Sequence, residues 1–94
     1  MDTDAAEQFM TYAERDRNRS IHTIARYKAV LASLAQHGDL LTIDRDAVER
    51  WWVSRYAMSP ATRANELGCV RAFYKWATRF DHRPDDPSRR LDPP

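Results

Sequence analysis

The sequence predicts an all-α domain of four helices followed by a polar, proline-rich segment. Apolar residues recur at helical spacing in four separate stretches, and no useful length alternates in the manner of a strand. Only two glycines occur, and four of the five prolines fall after residue 83, so the helix breakers are gathered at the end. At 94 residues, with 43% hydrophobic and 31% charged, the chain has the make-up of one small folded domain rather than a disordered segment.

The first helix is predicted from about Asp4 to Asp16, with Thr3 as N-cap and Ala6, Phe9, Met10 and Ala13 on one side. The stretch "RDRNRS" interrupts the pattern, and Ser20 is a natural N-cap for a second helix over about 21–37. Its apolar stripe is Ile24, Tyr27, Val30, Leu31 and Leu34, with His22, Arg26, Ala29 and Ser33 opposite. His37-Gly38 ends it, Gly being common just past a helix C-terminus. Asp44 caps a third helix through about Ala57, with Ala47, Val48, Trp51 and Trp52 facing inward. Ser59-Pro60 opens a fourth: a cap followed by proline in the first turn, where its missing N–H has no intrahelical partner to lose. Leu67, Val70, Phe73, Tyr74 and Ala77 form its stripe, widened by Cys69, Trp76 and Phe80. "DHRPDDPSRRLDPP" then reads as an unpacked linker. The boundaries expected are therefore a domain over 1–82 and a linker over 83–94.

The single cysteine, Cys69, cannot form an internal disulfide, and no apolar run is long enough to span a bilayer. With no leader pattern at the start, a cytoplasmic protein without membrane contact is expected. The three histidines lie on different segments, no spacing fits a metal site, and neither a phosphate-binding glycine loop nor a nucleophile elbow occurs. No cofactor, metal or catalytic constellation is therefore expected.

Charge carries more information. The net value is only +1, yet residues 1–14 sum to −4, 15–37 to +4, 38–58 to −1, 59–80 to +3 and 81–94 to −1. The second and fourth helices are the basic ones, and side by side they would give a near-neutral protein one cationic face. For any single cation, an ordinary solvated position is the default. Three features set the group apart. Arg71, Lys75 and Arg79 fall at i, i+4, i+8 with no acid between them; small residues (Ala61, Ala64, Gly68, Ala72) alternate with them; and "RDRNR" brings three arginines to the start of the other basic helix. Such a layout suits a bulky polyanion, since cations neutralise phosphates and helix N-termini offer free N–H groups. Gly68 serves equally well for close helix packing.

Three segments match a known pattern. "SIHTIARYKAVL" (20–31) resembles the S-x-x-T-x-x-x-Y-x-x-x-L opening of the second helix in the core-binding domain of tyrosine recombinases, the family of phage integrases and Xer-type recombinases. "SPAT" followed by "LGCVRAFYKW" resembles that domain's S-x-x-T-x-x-x-x-L-x-x-[LV]-R-x-F-Y-x-[WY] helix, and "DDPSRRLDPP" its N-P-x-x-x-[IL]-x-x-P segment, with Asp86 where Asn is usual. The resemblance covers nearly the whole chain, in the right order and spacing.

It implies a four-helix, SAM-like orthogonal bundle that clamps duplex DNA at the core recombination site. By position it implies DNA contacts from His22, Thr23 and Arg26 on one side and from Ala61, Thr62, Asn65 and the exposed cations Arg71, Lys75 and Arg79 on the other; the charge pattern adds Arg19, and the cap Ser20 shares a phosphate. Ser20 and Ser59 remain caps first, and Thr23 and Thr62 divide between closing a helix and bonding a phosphate. In the family the tyrosine nucleophile and its Arg, Lys and His helpers lie in a catalytic domain after the linker. None is matched here, so this chain is expected to bind and not to cut. The partners implied are double-stranded DNA, the catalytic domain of the parent recombinase and neighbouring protomers on DNA. The alternative is a SAM-like protein–protein interaction module that uses the acidic first and third helices and binds no DNA.

Overall fold

The computed structural model describes residues 2–94, with side chains from Ala5 onward. Four helices run α1 (Asp2–Arg15), α2 (Ile21–Ala35), α3 (Arg45–Ser54) and α4 (Pro60–Arg79), and no strand occurs among the described residues. α1 packs on α2 and α4, and α2 packs on α3 and α4. Every helix thus turns its apolar stripe to one core, as an all-α bundle requires.

Local chemistry sets the helix starts. Ser20 is an extended N-cap whose Oγ accepts from the Thr23 backbone N–H at 3.2 Å, and Ser59 does the same for Thr62 at 3.2 Å. Asp44 accepts from the Ala47 N–H at 2.8 Å. Each satisfies one of the N–H groups that a first turn leaves without an intrahelical partner. The expected cap Thr3 lies outside the residues whose side chains are described. α3 ends at Ser54 rather than Ala57, and residues 55–57 continue as a turn.

The core is aromatic at its centre. Phe9 packs on Tyr27, Phe73 and Trp76 with ring centroids 5.0–5.7 Å apart, edge-on or tilted. Such arrangements bring the positive ring edge to the negative face of a neighbour. Buried polar tips find partners: Tyr74 donates to the Leu40 carbonyl at 2.9 Å and Trp51 Nε1 to Ser33 Oγ at 3.0 Å. Leu40 and Ile43, in the α2–α3 connection, also belong to the core. Gly38 sits at φ 152°, beyond the usual range of side-chain-bearing residues, with Ile43 beside the place a Cβ would take.

Two expectations are corrected. Helical spacing puts Phe80 on the core stripe, but the helix ends at Arg79, and Phe80, as its C-cap, is 46% exposed and packs edge-on with Tyr12. The composition of the terminal segment predicts an unpacked linker, yet Arg83, Ser88 and Leu91 are buried. Arg83 Nη1 donates to the carbonyls of Leu40 and Ile43 at 3.2 and 3.1 Å, while its Nε and Nη2 engage the Asp85 carboxylate. Asp86 accepts from both the N–H and the hydroxyl of Ser88, which turns the chain so that Leu91 reaches the core. Residues 83–91 are a strap fastened to the bundle.

Candidate nucleic-acid interface

α2 and α4 lie in contact, which places the two basic segments side by side. Arg26 on α2 and Asn65 on α4, 39 residues apart, meet with Arg26 Nη1 3.4 Å from Asn65 Oδ1. Both are exposed, as are His22, Ala61 and Thr62, and Thr23 is partly exposed. The first turns of the two helices carry the same cap: Ser20 Oγ also donates to Thr23 Oγ1 at 3.2 Å, and Ser59 Oγ to Thr62 Oγ1 at 3.0 Å. All four hydroxyls are therefore engaged in closing helix starts, and each threonine hydroxyl keeps its own proton to donate outward.

Farther along the seam, Arg19 at the entry to α2 and Lys75 and Arg79 on α4 line one hollow together with Arg17. Among the described residues no carboxylate pairs with any of these four. Arg17 is the member that sequence reasoning did not single out. "RDRNR" advertised three arginines, but which of them converge depends on the chain reversal at Asn18, which has φ 51°.

Arg71 does not join them. It is half-buried and donates to the Leu91 carbonyl of the strap. The reason is geometric: an i, i+4 step advances about 40° around a helix, so the series Arg71, Lys75, Arg79 winds from the strap side toward α1 and α2. Two other cations have internal roles. Arg63 stacks over Trp52 and Tyr56 at 4.7 and 4.2 Å from the ring centroids, and Arg55 forms a bidentate pair with Glu66 at 2.9 and 2.6 Å. The hydrogen bond to the Glu66 carboxylate, with its charge, raises the pKa of Arg55 above its ordinary value.

Gly68 is exposed, and a Cβ built there meets nothing within 4 Å. Helix packing is thus not the reason for it. Ala72, by contrast, is half-buried against the core, so its small size serves packing. The three tryptophans are buried and offer no platform for stacking bases. Among the described residues no group of His, Cys, Asp and Glu could hold a metal ion, and no helix is long and apolar enough to cross a membrane.

Comparison with known proteins agrees with this geometry. Residues 6–80 match the model of the family described as phage integrase, N-terminal SAM-like domain. The chain is 33% identical over 100 residues to tyrosine recombinase XerD of Xanthomonas axonopodis pv. citri, covering 99% of the chain and 33% of the relative. It is likewise 33% identical over 91 residues to tyrosine recombinase XerC of Erythrobacter litoralis, covering 96% of the chain and 30% of the relative. A similar match of 33% over 89 residues is found with XerC of Rhodospirillum centenum, covering 81% of the chain and 26% of the relative. The chain thus spans about a third of the length of the curated relatives it matches. No solved structure matches. The four-helix architecture, the paired Ser-x-x-Thr starts of α2 and α4 and these matches lead to one conclusion: the chain belongs to the family of N-terminal SAM-like domains of phage integrases and tyrosine recombinases.

Proposed function

We propose that this domain binds duplex DNA along the α2–α4 seam, as the DNA-clamping module of a site-specific tyrosine recombinase that acts in the cytoplasm. The observation that carries the reading is the contact of Arg26 with Asn65 on an exposed face that continues into the unpaired cations Arg19, Lys75 and Arg79. Arg79 lies over the Phe80 ring at 5.3 Å, but none of the three has a carboxylate partner, and positive charge left unneutralised attracts phosphates and orients the domain on a duplex. Contacts to base edges fall to the two helix starts, where His22, Thr23 and Arg26 stand on α2 and Ala61, Thr62 and Asn65 on α4. Ser20 acts through the cap that orients that first turn, and Arg71 acts at the strap unless DNA draws it away. In the longer recombinase, the catalytic domain and neighbouring protomers on DNA are the other partners, with the strap leading toward the former.

The test is a fluorescence-anisotropy titration of the chain against a core-type duplex, beside the double variant Arg26→Glu/Lys75→Glu. Both side chains are exposed, so the variant is expected to keep its fold and lose binding. Unchanged affinity would favour a protein–protein module built on the acidic helices.

A further inference from the structure

The hollow at the end of the seam has a form of its own. It lies between the C-terminal end of α1, the α1–α2 connection and the last two turns of α4, with a volume of roughly 190 Å³. Arg17 and Arg19 border it from the connection, Lys75 and Arg79 from α4, and Tyr12 and Trp76 are among the aromatic rings that line it. Among the described residues no carboxylate does. Four like charges around one hollow repel one another, and an anion entering it would convert that repulsion into attraction. The connection is held in place rather than trailing. The Arg17 N–H donates to the Tyr12 carbonyl at 3.3 Å and the Arg19 N–H to the Ala13 carbonyl at 3.0 Å, with Asn18 between them in the left-handed conformation that asparagine tolerates. The volume is below the range of about 300–1,000 Å³ typical of small-molecule sites, which suits a tetrahedral anion rather than a nucleoside or an organic cofactor.

We propose that this hollow is a cradle for a single phosphate group, held jointly by Arg17, Arg19, Lys75 and Arg79. The inference rests on the DNA-binding reading in that the group is then one backbone phosphodiester beside the seam; a free phosphate ion has the same chemistry. Guanidinium forks match the two non-bridging oxygens of a phosphodiester bidentately, and Lys75 adds a point charge. The aromatic lining limits solvent on one side and strengthens each of these interactions. A cradle differs from four separate phosphate contacts in a measurable way, because its members share one ligand.

The experiment titrates the 94-residue chain and its Arg17→Gln, Lys75→Gln and doubly substituted forms with a core-type duplex over a range of salt. A second arm follows the Trp76 indole N–H by NMR as inorganic phosphate is added. For a cradle, each single substitution weakens duplex binding about tenfold and the double little more than either. The slope of log affinity against log salt then falls by about 0.9 in all three variants. Arg17→Lys, which keeps the charge but loses the fork, retains only part of the affinity, between the native chain and Arg17→Gln, and thermal melting confirms that each variant folds. Additive losses with a slope change of about 1.8 in the double variant would overturn the cradle in favour of separate phosphates. Duplex binding indifferent to both substitutions would overturn it as well, while leaving the DNA reading in place. A saturable phosphate shift at Trp76, lost in the double variant, without any duplex binding would support the cradle as a free-anion site and overturn the DNA reading.

Discussion

The guanidinium of Arg26 on α2 and the side-chain amide of Asn65 on α4 meet with Nη1 3.4 Å from Oδ1, on the exposed side of the seam between the two helices. With its oxygen turned to Arg26, the amide presents its NH2 group outward as a donor. Acceptors on base edges (N7 and O6 of guanine, N7 of adenine, O4 of thymine) are what such a donor reads in a major groove. The contact stabilises the fold little, since both residues are solvated, and its value lies in fixing how Asn65 points.

Asn65→Ala is therefore expected to change stability by no more than about 0.5 kcal/mol. It should remove about 1–3 kcal/mol of discrimination at one base pair of the bound duplex. Competition between duplexes varied one position at a time measures this; a uniform loss across all of them would make Asn65 a backbone contact.

Arg83→Ala tests the strap. The buried guanidinium serves the Ile43 and Leu40 carbonyls and the Asp85 carboxylate, and the Ile43 carbonyl would be left without it. A loss of about 2 kcal/mol in urea unfolding is expected. Removal of residues 83–94 should cost at least as much, since it exposes the surface that Leu91 covers. A truncated chain as stable as the full one would show the strap to be passive.

Gly68→Ala separates stability from binding. Alanine is favoured over glycine in a helix interior by about 1 kcal/mol, and a Cβ at position 68 has open space around it. The variant should therefore melt higher. If the fourth helix approaches DNA along this face, its duplex affinity should fall; if solvent alone lies there, affinity stays the same.

Burial, opposed by the Arg26 charge and reinforced by Glu66, pushes the Cys69 thiol up to about 11 from its ordinary 9.0. The unfolded chain loses this proton first. The contribution is complete below pH 9 and is lost as pH rises from 9 through 11, at up to about 1.4 kcal/mol per pH unit. The stability difference between the native chain and Cys69→Ala, measured across that window, should shrink as pH rises. Within it the folded thiol should react with alkylating reagents only as fast as the protein opens, given its 4% exposure.

Features set by a few adjacent residues were legible in the sequence. Ser20, Asp44 and Ser59 cap where expected because a cap needs only its own side chain and an N–H three residues on. The apolar stripes of α2 and α4 were legible for the same local reason, helical period. Features set by distant partners were not. Arg71 looks free on a helical wheel, and only the return of Leu91, twenty residues later, occupies it. Arg83, Ser88 and Leu91 sit among prolines and aspartates whose composition signals a linker, while their burial depends on Leu40, Ile43 and the core. Arg17 converges with Lys75 and Arg79 through a chain reversal at a single asparagine.

The most direct test of the DNA-binding account is the salt dependence of duplex affinity, measured for the chain between about 50 and 200 mM monovalent salt. One phosphate in the cradle of Arg17, Arg19, Lys75 and Arg79, with at most one more at Arg26, predicts a log–log slope of about −1 to −2, made shallower by Lys75→Gln. A slope near zero, or no binding at the lower salt concentration, would contradict the account.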